Sequence, residues 1–163
     1  MTQIKIICLL GILIVLFSFI QFSRHAKEIP YPEGYRNWKH IKTAIIGPKS
    51  PAFEHWGGFH HIYANDKAVE GYKLNNFPNG SILVFDVIEA VQKDSDFGEG
   101  KRRILDVMVK DSVQFASTGG WGFEEFKENS KTERLIKDMA STQCFSCHSS
   151  IKNSDFVFSK VRD

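Results

Sequence analysis

Residues 144–148 read Cys-Phe-Ser-Cys-His. Two thiols three positions apart, followed at once by an imidazole, form the spacing at which a c-type haem is attached. The thiols can add to the two vinyl groups on one edge of the macrocycle. The next residue, His148, is then carried beneath the ring, where its nitrogen can reach the iron. The expected cofactor is one covalently attached haem c, with Cys144 and Cys147 as thioether residues and His148 as proximal iron ligand. Other uses of paired cysteines fit less well. A structural zinc site needs about four ligands, usually two such pairs. A dithiol redox pair follows a strand at a helix start and needs no adjacent histidine. A disulfide across so short a separation would close a tight, strained loop.

The sixth iron position is less defined. Fifteen residues follow His148, and none is methionine. Met139 lies too close upstream to cross the ring easily and reads as core. Met108 falls in a predicted strand and also reads as core. His25 flanks an apolar run, and His40 and His55 are isolated. His60 and His61 are neighbours on a strand, so their side chains point to opposite faces and at most one faces inward. An open or weakly filled sixth position favours small-ligand chemistry over simple electron carriage.

The elements that must position these residues begin after a distinct N-terminal segment. Residues 6–22 are uncharged and apolar, flanked by Lys5, Arg24 and Lys27. The run suits a signal anchor or a signal peptide over residues 1–27, and either one exports the rest. Attachment of a c-type haem outside the bacterial cytoplasm agrees, so a periplasmic domain, tethered to the inner membrane or released, is expected. Those 27 residues hold three basic side chains and no acid. The remainder keeps 18 of the 21 basic residues and all 19 acidic ones. A nearly neutral domain is a poor nucleic-acid binder. Eleven of the 14 phenylalanines also remain, many for a small domain unless it must wall off a flat apolar group.

Residues 28–34 contain Pro30 and Pro32 and read as an extended linker. From residue 35 to 163 one domain is expected. Period-two patterning predicts strands over 38–46, 59–64, 81–91, 102–110 and 119–126. A short helix from Asn65 through Tyr72, a turn at 78–80 and a loop over 94–100 separate them. Ser130 and Glu133 resemble a capping box, which predicts a helix over 130–140 with Leu135, Ile136 and Met139 on one face. The tail from Ser154 alternates like a short strand. Short connections favour an antiparallel sheet. The expected class is mainly β (α+β), with short helices and a C-terminal haem motif.

The stretches YPEGYRNWKH at 31–40, GGFHHIYAN at 57–65, FPNGSILVFDVIE at 77–89, LDVMVKDS at 105–112, FASTGGWGFEEF at 115–126, CFSCH and DFVFS at 155–159 together resemble the cytochrome P460 and cytochrome c′-beta family. The resemblance spans roughly residues 31–160. It implies a mostly antiparallel sheet, a C-terminal haem motif and a homodimer. Members that oxidise hydroxylamine join a lysine to the haem edge. The matching position here is Phe85, which cannot form that bond, so the chain is similar to the c′-beta members, whose uncrosslinked haem is capped by phenylalanine. The resemblance also implies that Asp106 stands where other members keep a proton-relaying carboxylate. Its structural alternative is a strand aspartate paired with Arg102 or Lys110. Phe59 is chosen over Trp56 as a second distal aromatic, because a regular strand would put the two on opposite faces. Gly119, Gly120 and Gly122 read as sites of close backbone packing, with Trp121 in the core.

These readings predict a mono-haem cytochrome with an apolar distal pocket for small gaseous ligands, nitric oxide first. Two alternatives stand beside it. One is an oxidoreductase acting on hydroxylamine or nitric oxide, using Asp106. The other is a membrane-tethered electron carrier with a redox partner protein.

Overall fold

Five period-two segments become five strands in the computed structural model, which describes residues 28–161. The anchor or signal segment, residues 1–27, lies outside the described residues. Among the described residues no helix is long and apolar enough to cross a membrane. The strands are β1 (Lys39–Ile46), β2 (Gly58–Ala64), β3 (Ile82–Lys93), β4 (Asp96–Lys110) and β5 (Trp121–Lys127). Each pairs antiparallel with the next, in spatial order β1-β2-β3-β4-β5. Two short helices interrupt the meander: α1 (Phe53–Trp56) and α2 (Asp66–Leu74). Asn65 caps α2, its side-chain oxygen accepting from Ala68 N at 3.0 Å. Two more, α3 (Ala140–Gln143) and α4 (Phe145–His148), close the chain's haem motif.

Strand alternation gives the sheet two unlike faces. On one, Val84, Leu105, Val107 and Phe126 are almost wholly buried beneath Ile29 and Tyr35. Residues 28–34 have no regular structure, yet they pack: Tyr31 meets Phe126 edge-on at 5.2 Å. That face also buries Asp86, which accepts from Tyr35, Arg36 and Arg102. On the opposite face, Leu83, Phe123 and Trp121 join Ala68 and Phe77 from α2 and its exit loop. Register there builds a row across four strands: Ile62 opposes Phe85, Phe85 opposes Asp106, and Asp106 opposes Glu125. Phe85, Ile62, Asp106 and Met108 are only half-buried on this face.

Three expected elements take another form. The segment 94–100 is no loop. Ladder pairing continues to Lys93 and Asp96, and only a tight turn separates β3 from β4. Gly98 and Gly100 punctuated the sequence but accept an extended backbone. The helix over 130–140 is replaced by a turn and an edge contact. Ser130 Oγ does accept from Glu133 N at 2.9 Å, as a cap would. Beyond it the backbone follows the open edge of β5, with Leu135 N bonding Glu125 O at 2.9 Å and a bridge between Phe126 and Arg134. Edge carbonyls that need donors outweigh local helix preference here. The Arg134 guanidinium pins the segment through Glu124 Oε2 at 2.9 Å and Ile29 O at 2.7 Å. Met139 is accordingly exposed rather than core. The tail forms no strand among the described residues, because Asp155 and Phe156 both adopt the left-handed region, at φ 47° and 64°.

Candidate haem site

The motif sits on consecutive short helical turns. Cys147 N and His148 N both bond back to Cys144 O, at 3.2 and 3.1 Å. Residues three and four apart on such a turn share one side. Cys144, Cys147 and His148 are therefore presented together. Both thiols are free, Cys144 half-buried against the sheet and Cys147 exposed. Burial pushes the Cys144 thiol up to about 12, helped by Asp106, Glu125 and Glu124. A redox-active cysteine needs a lowered thiol pKa, so the dithiol reading loses its support.

His148 is oriented by one bond. A carbonyl can only accept, so the Nδ1–H of His148 donates to Phe156 O at 2.7 Å. That choice of tautomer leaves the Nε2 lone pair available to a metal. Burial lowers the His148 pKa, which keeps the ring neutral. Phe123 flanks it at 5.0 Å and Phe158 meets it edge-on at 4.9 Å.

The carbonyl that orients His148 is itself held by Asp155. One Asp155 oxygen pairs with Lys110 Nζ at 2.6 Å, and the other accepts from Phe77 N at 2.8 Å. The Asp155 carbonyl accepts from the Trp121 indole at 2.8 Å. Gly119 has φ 65°, and a Cβ there would lie 2.4 Å from the Phe156 ring. Close packing at the glycine cluster thus serves the proximal loop, and Trp121 is fully buried as expected. Asp155 and Phe156 were not singled out from sequence. Their motif, Asp-Phe-Val-Phe, alternates like a strand, and only its left-handed backbone reveals the turn.

The half-buried row on the sheet supplies the other side. Phe85 contacts the His60 ring at 4.5 Å. His60 is buried and donates through Nε2 to Trp56 O at 2.5 Å, its pKa lowered by burial. His61 points to the other face, near Thr43 and Glu99, as adjacent strand residues must. Met108 packs in the apolar core beside its cross-strand partner Phe123. Asp106 pairs with neither Arg102, which holds Asp86, nor Lys110, which holds Asp155. It accepts from the Trp56 indole at 3.0 Å. Burial raises its pKa well above the usual carboxylate range, and the Glu125 carboxylate raises it further.

Phe59 does not join this group. It stacks on His61 at 6.2 Å, on the face away from Phe85. Trp56, which ends α1 and is not a strand residue, instead lies on the Phe85 side, its indole on Asp106. Glu125 was not singled out, and His55 was weighed only for the sixth iron position. His55 Nε2 bonds Glu125 Oε2 at 2.8 Å across 70 residues of chain, a contact that no local pattern announces.

The donor set fits haem. One neutral imidazole has a free Nε2, two thiols lie on the same turn, and Cys144 packs on the apolar core that Ile62 and Met108 border. Among the described residues no three His, Cys, Asp or Glu side chains gather as a metal ion bound by protein alone would need. An antiparallel meander with this C-terminal turn defines a small β-sheet haem cytochrome. The family model for cytochrome P460 matches residues 32–159, and the chain belongs to that family. No curated protein matches the chain.

Proposed function

We propose that this chain is an exported c-type cytochrome that binds small neutral ligands, nitric oxide first. Cys144 and Cys147 hold its one haem through thioethers, and His148 ligates the iron. The observation that carries the reading is Phe85: a half-buried phenyl ring between Ile62 and Asp106, at the position where the resemblance implies a crosslinking lysine in other members. When bound, haem would supply an iron able to take one small molecule and to exchange an electron. The protein's part is to orient and exclude. Phe156 O fixes the imidazole. Phe85 and Ile62 keep water off the sheet side. The Trp56 indole is committed to Asp106. The Phe85 and Ile62 side chains offer no hydrogen bond, and a ligand held against them is favoured as nitric oxide over dioxygen, whose bound form needs one. Export through residues 1–27, a membrane tether, a homodimer and a redox partner protein belong to the same proposal.

A second reading, oxidation of hydroxylamine or nitric oxide, draws on the carboxyl pair beside Phe85. Such a reaction releases protons, and a carboxyl with a raised pKa can carry them. Optical spectra of the haem-loaded protein in both oxidation states, with and without nitric oxide, test these readings. A five-coordinate high-spin ferric form that responds to nitric oxide is expected. A six-coordinate low-spin form that ignores nitric oxide would overturn the proposal and indicate an electron carrier. Hydroxylamine turnover with an electron acceptor would establish the second reading.

A further inference from the structure

Asp106 and Glu125 stand opposite each other on β4 and β5. Burial and the facing Glu125 carboxylate raise the Asp106 pKa well above the usual range, and two carboxyls so placed can share one proton. Arg103 donates to Glu54 O and Lys127 pairs with Glu133, so the ionisable base that reaches the pair among the described residues is His55. The other groups facing the pair are Trp56 from α1, His60 from β2, and the Cys144 thiol.

The His55 side chain is 49% exposed, and Glu125 beyond it is 3% exposed. Asp106 follows, half-buried and directly opposite Phe85. Trp56 locks the arrangement, because its carbonyl accepts from His60 while its indole donates to Asp106. Nothing in the packing of β4 against β5 requires two facing carboxyls. Like charges directly opposite on a sheet destabilise it.

We propose that His55, Glu125 and Asp106 form a proton path from solvent to the haem-facing side of the sheet. This rests on the reading that haem lies against the row containing Phe85. In the inward direction, the His55 imidazolium gives its Nε2 proton to Glu125 Oε2 and becomes neutral, keeping the Nδ1 proton. The pair, now holding two protons, releases one from the Asp106 carboxyl to an acceptor on the Phe85 side. It returns to one proton and one charge. The half-exposed imidazole turns to water and regains its proton. Release of protons outward runs the same steps in reverse.

The test uses haem-loaded protein and a rapid drop in pH, with the carboxyl infrared band of the pair followed in time. His55→Gln leaves a half-exposed amide in place of the ring and is expected to slow protonation roughly tenfold or more. Added imidazole is expected to restore the rate in His55→Ala. Glu125→Gln is expected to slow it too, without rescue, because the break then lies inside the protein. An unchanged rate in His55→Gln, or slowing that imidazole does not relieve in His55→Ala, would overturn the path. The band needs no turnover, so that failure leaves haem attachment untouched. Wild-type protein that retains no haem would instead overturn the haem reading and remove the path's destination.

Discussion

His148 and Phe156 are joined by a 2.7 Å hydrogen bond from the imidazole Nδ1–H to the backbone carbonyl. The bond selects the tautomer whose Nε2 can ligate a metal. It also makes the orientation of the His148 ring depend on a turn eight residues downstream. The turn in turn depends on Asp155, which bonds Lys110, Phe77 and Trp121 from three other parts of the chain.

Asp155→Ala should therefore act at a distance. It leaves Lys110, which is 8% exposed, without its carboxylate. Breaking a buried pair in this way costs about 3–5 kcal/mol, and the smaller figure applies where a side chain keeps some access to water. Urea unfolding checks the loss. Loosening of the Phe156 carbonyl should also lower the iron–histidine stretching frequency in resonance Raman spectra of the reduced haem protein.

Replacing both thiols, Cys144→Ala with Cys147→Ala, should abolish covalent haem. Acid-acetone extraction separates the cases, since a thioether-bound haem stays with the polypeptide. Haem that remains with the double variant after extraction would contradict attachment through these cysteines.

Phe85→Ala should open the sheet side of the site. Carbon monoxide and nitric oxide should associate faster with the reduced protein in flash photolysis. The stability cost should fall below the roughly 3–5 kcal/mol typical of a fully buried phenylalanine, because Phe85 is only half-buried. Unchanged ligand rates would make Phe85 a core residue and nothing more.

Asp106 and the buried histidines should give opposite pH dependences. A carboxyl whose pKa rises on folding binds more protons in the native state. Its contribution is fully present below the ordinary carboxylate range and is lost as pH climbs through the raised native value. Asp106→Asn should abolish that decline and be the more stable protein at neutral and alkaline pH. His60 and His148 have lowered values, so the unfolded chain binds their protons more readily. Stability should fall as pH drops below the ordinary histidine value of 6.5. Urea midpoints of wild type, Asp106→Asn and His60→Gln across pH separate the two trends.

Asp86→Ala should be the most damaging change on the other face. Asp86 is fully buried and holds Arg102 at 2.7 Å, Arg36 at 3.0 Å and the Tyr35 hydroxyl at 2.5 Å. Its removal leaves the mostly buried Arg102 charge without a carboxylate, a cost of about 3–5 kcal/mol. A drop in the urea midpoint with an unchanged slope would report it.

What could be read from the chain alone was local. Cys144, Cys147 and His148 are adjacent, so spacing carries their chemistry without knowledge of the fold. Period-two runs announced all five strands, because one face of each is buried and the other differs. Asp106 and Phe85 could be placed on strands, and the Asn65 cap on a helix start, for the same reason. Register decided the rest. Only pairing across β2, β3, β4 and β5 sets Ile62, Phe85, Asp106 and Glu125 in one row, and pairing energy is shared between segments distant in sequence. Phe59 lies on the face away from Phe85 because alternation sets it with His61, while α1 delivers Trp56 to Asp106. The capping signal at Ser130 was real and its bond forms, but the edge of β5 claimed the backbone that followed. The same holds for the tail, where Lys110, Phe77 and Trp121 converge on Asp155 and turn an alternating stretch into the loop that holds His148. Local pattern thus marked the groups whose types and spacing suit haem attachment. Tertiary pairing decided what each faces, because unpaired edges and buried charges are satisfied by whatever partner the fold brings near.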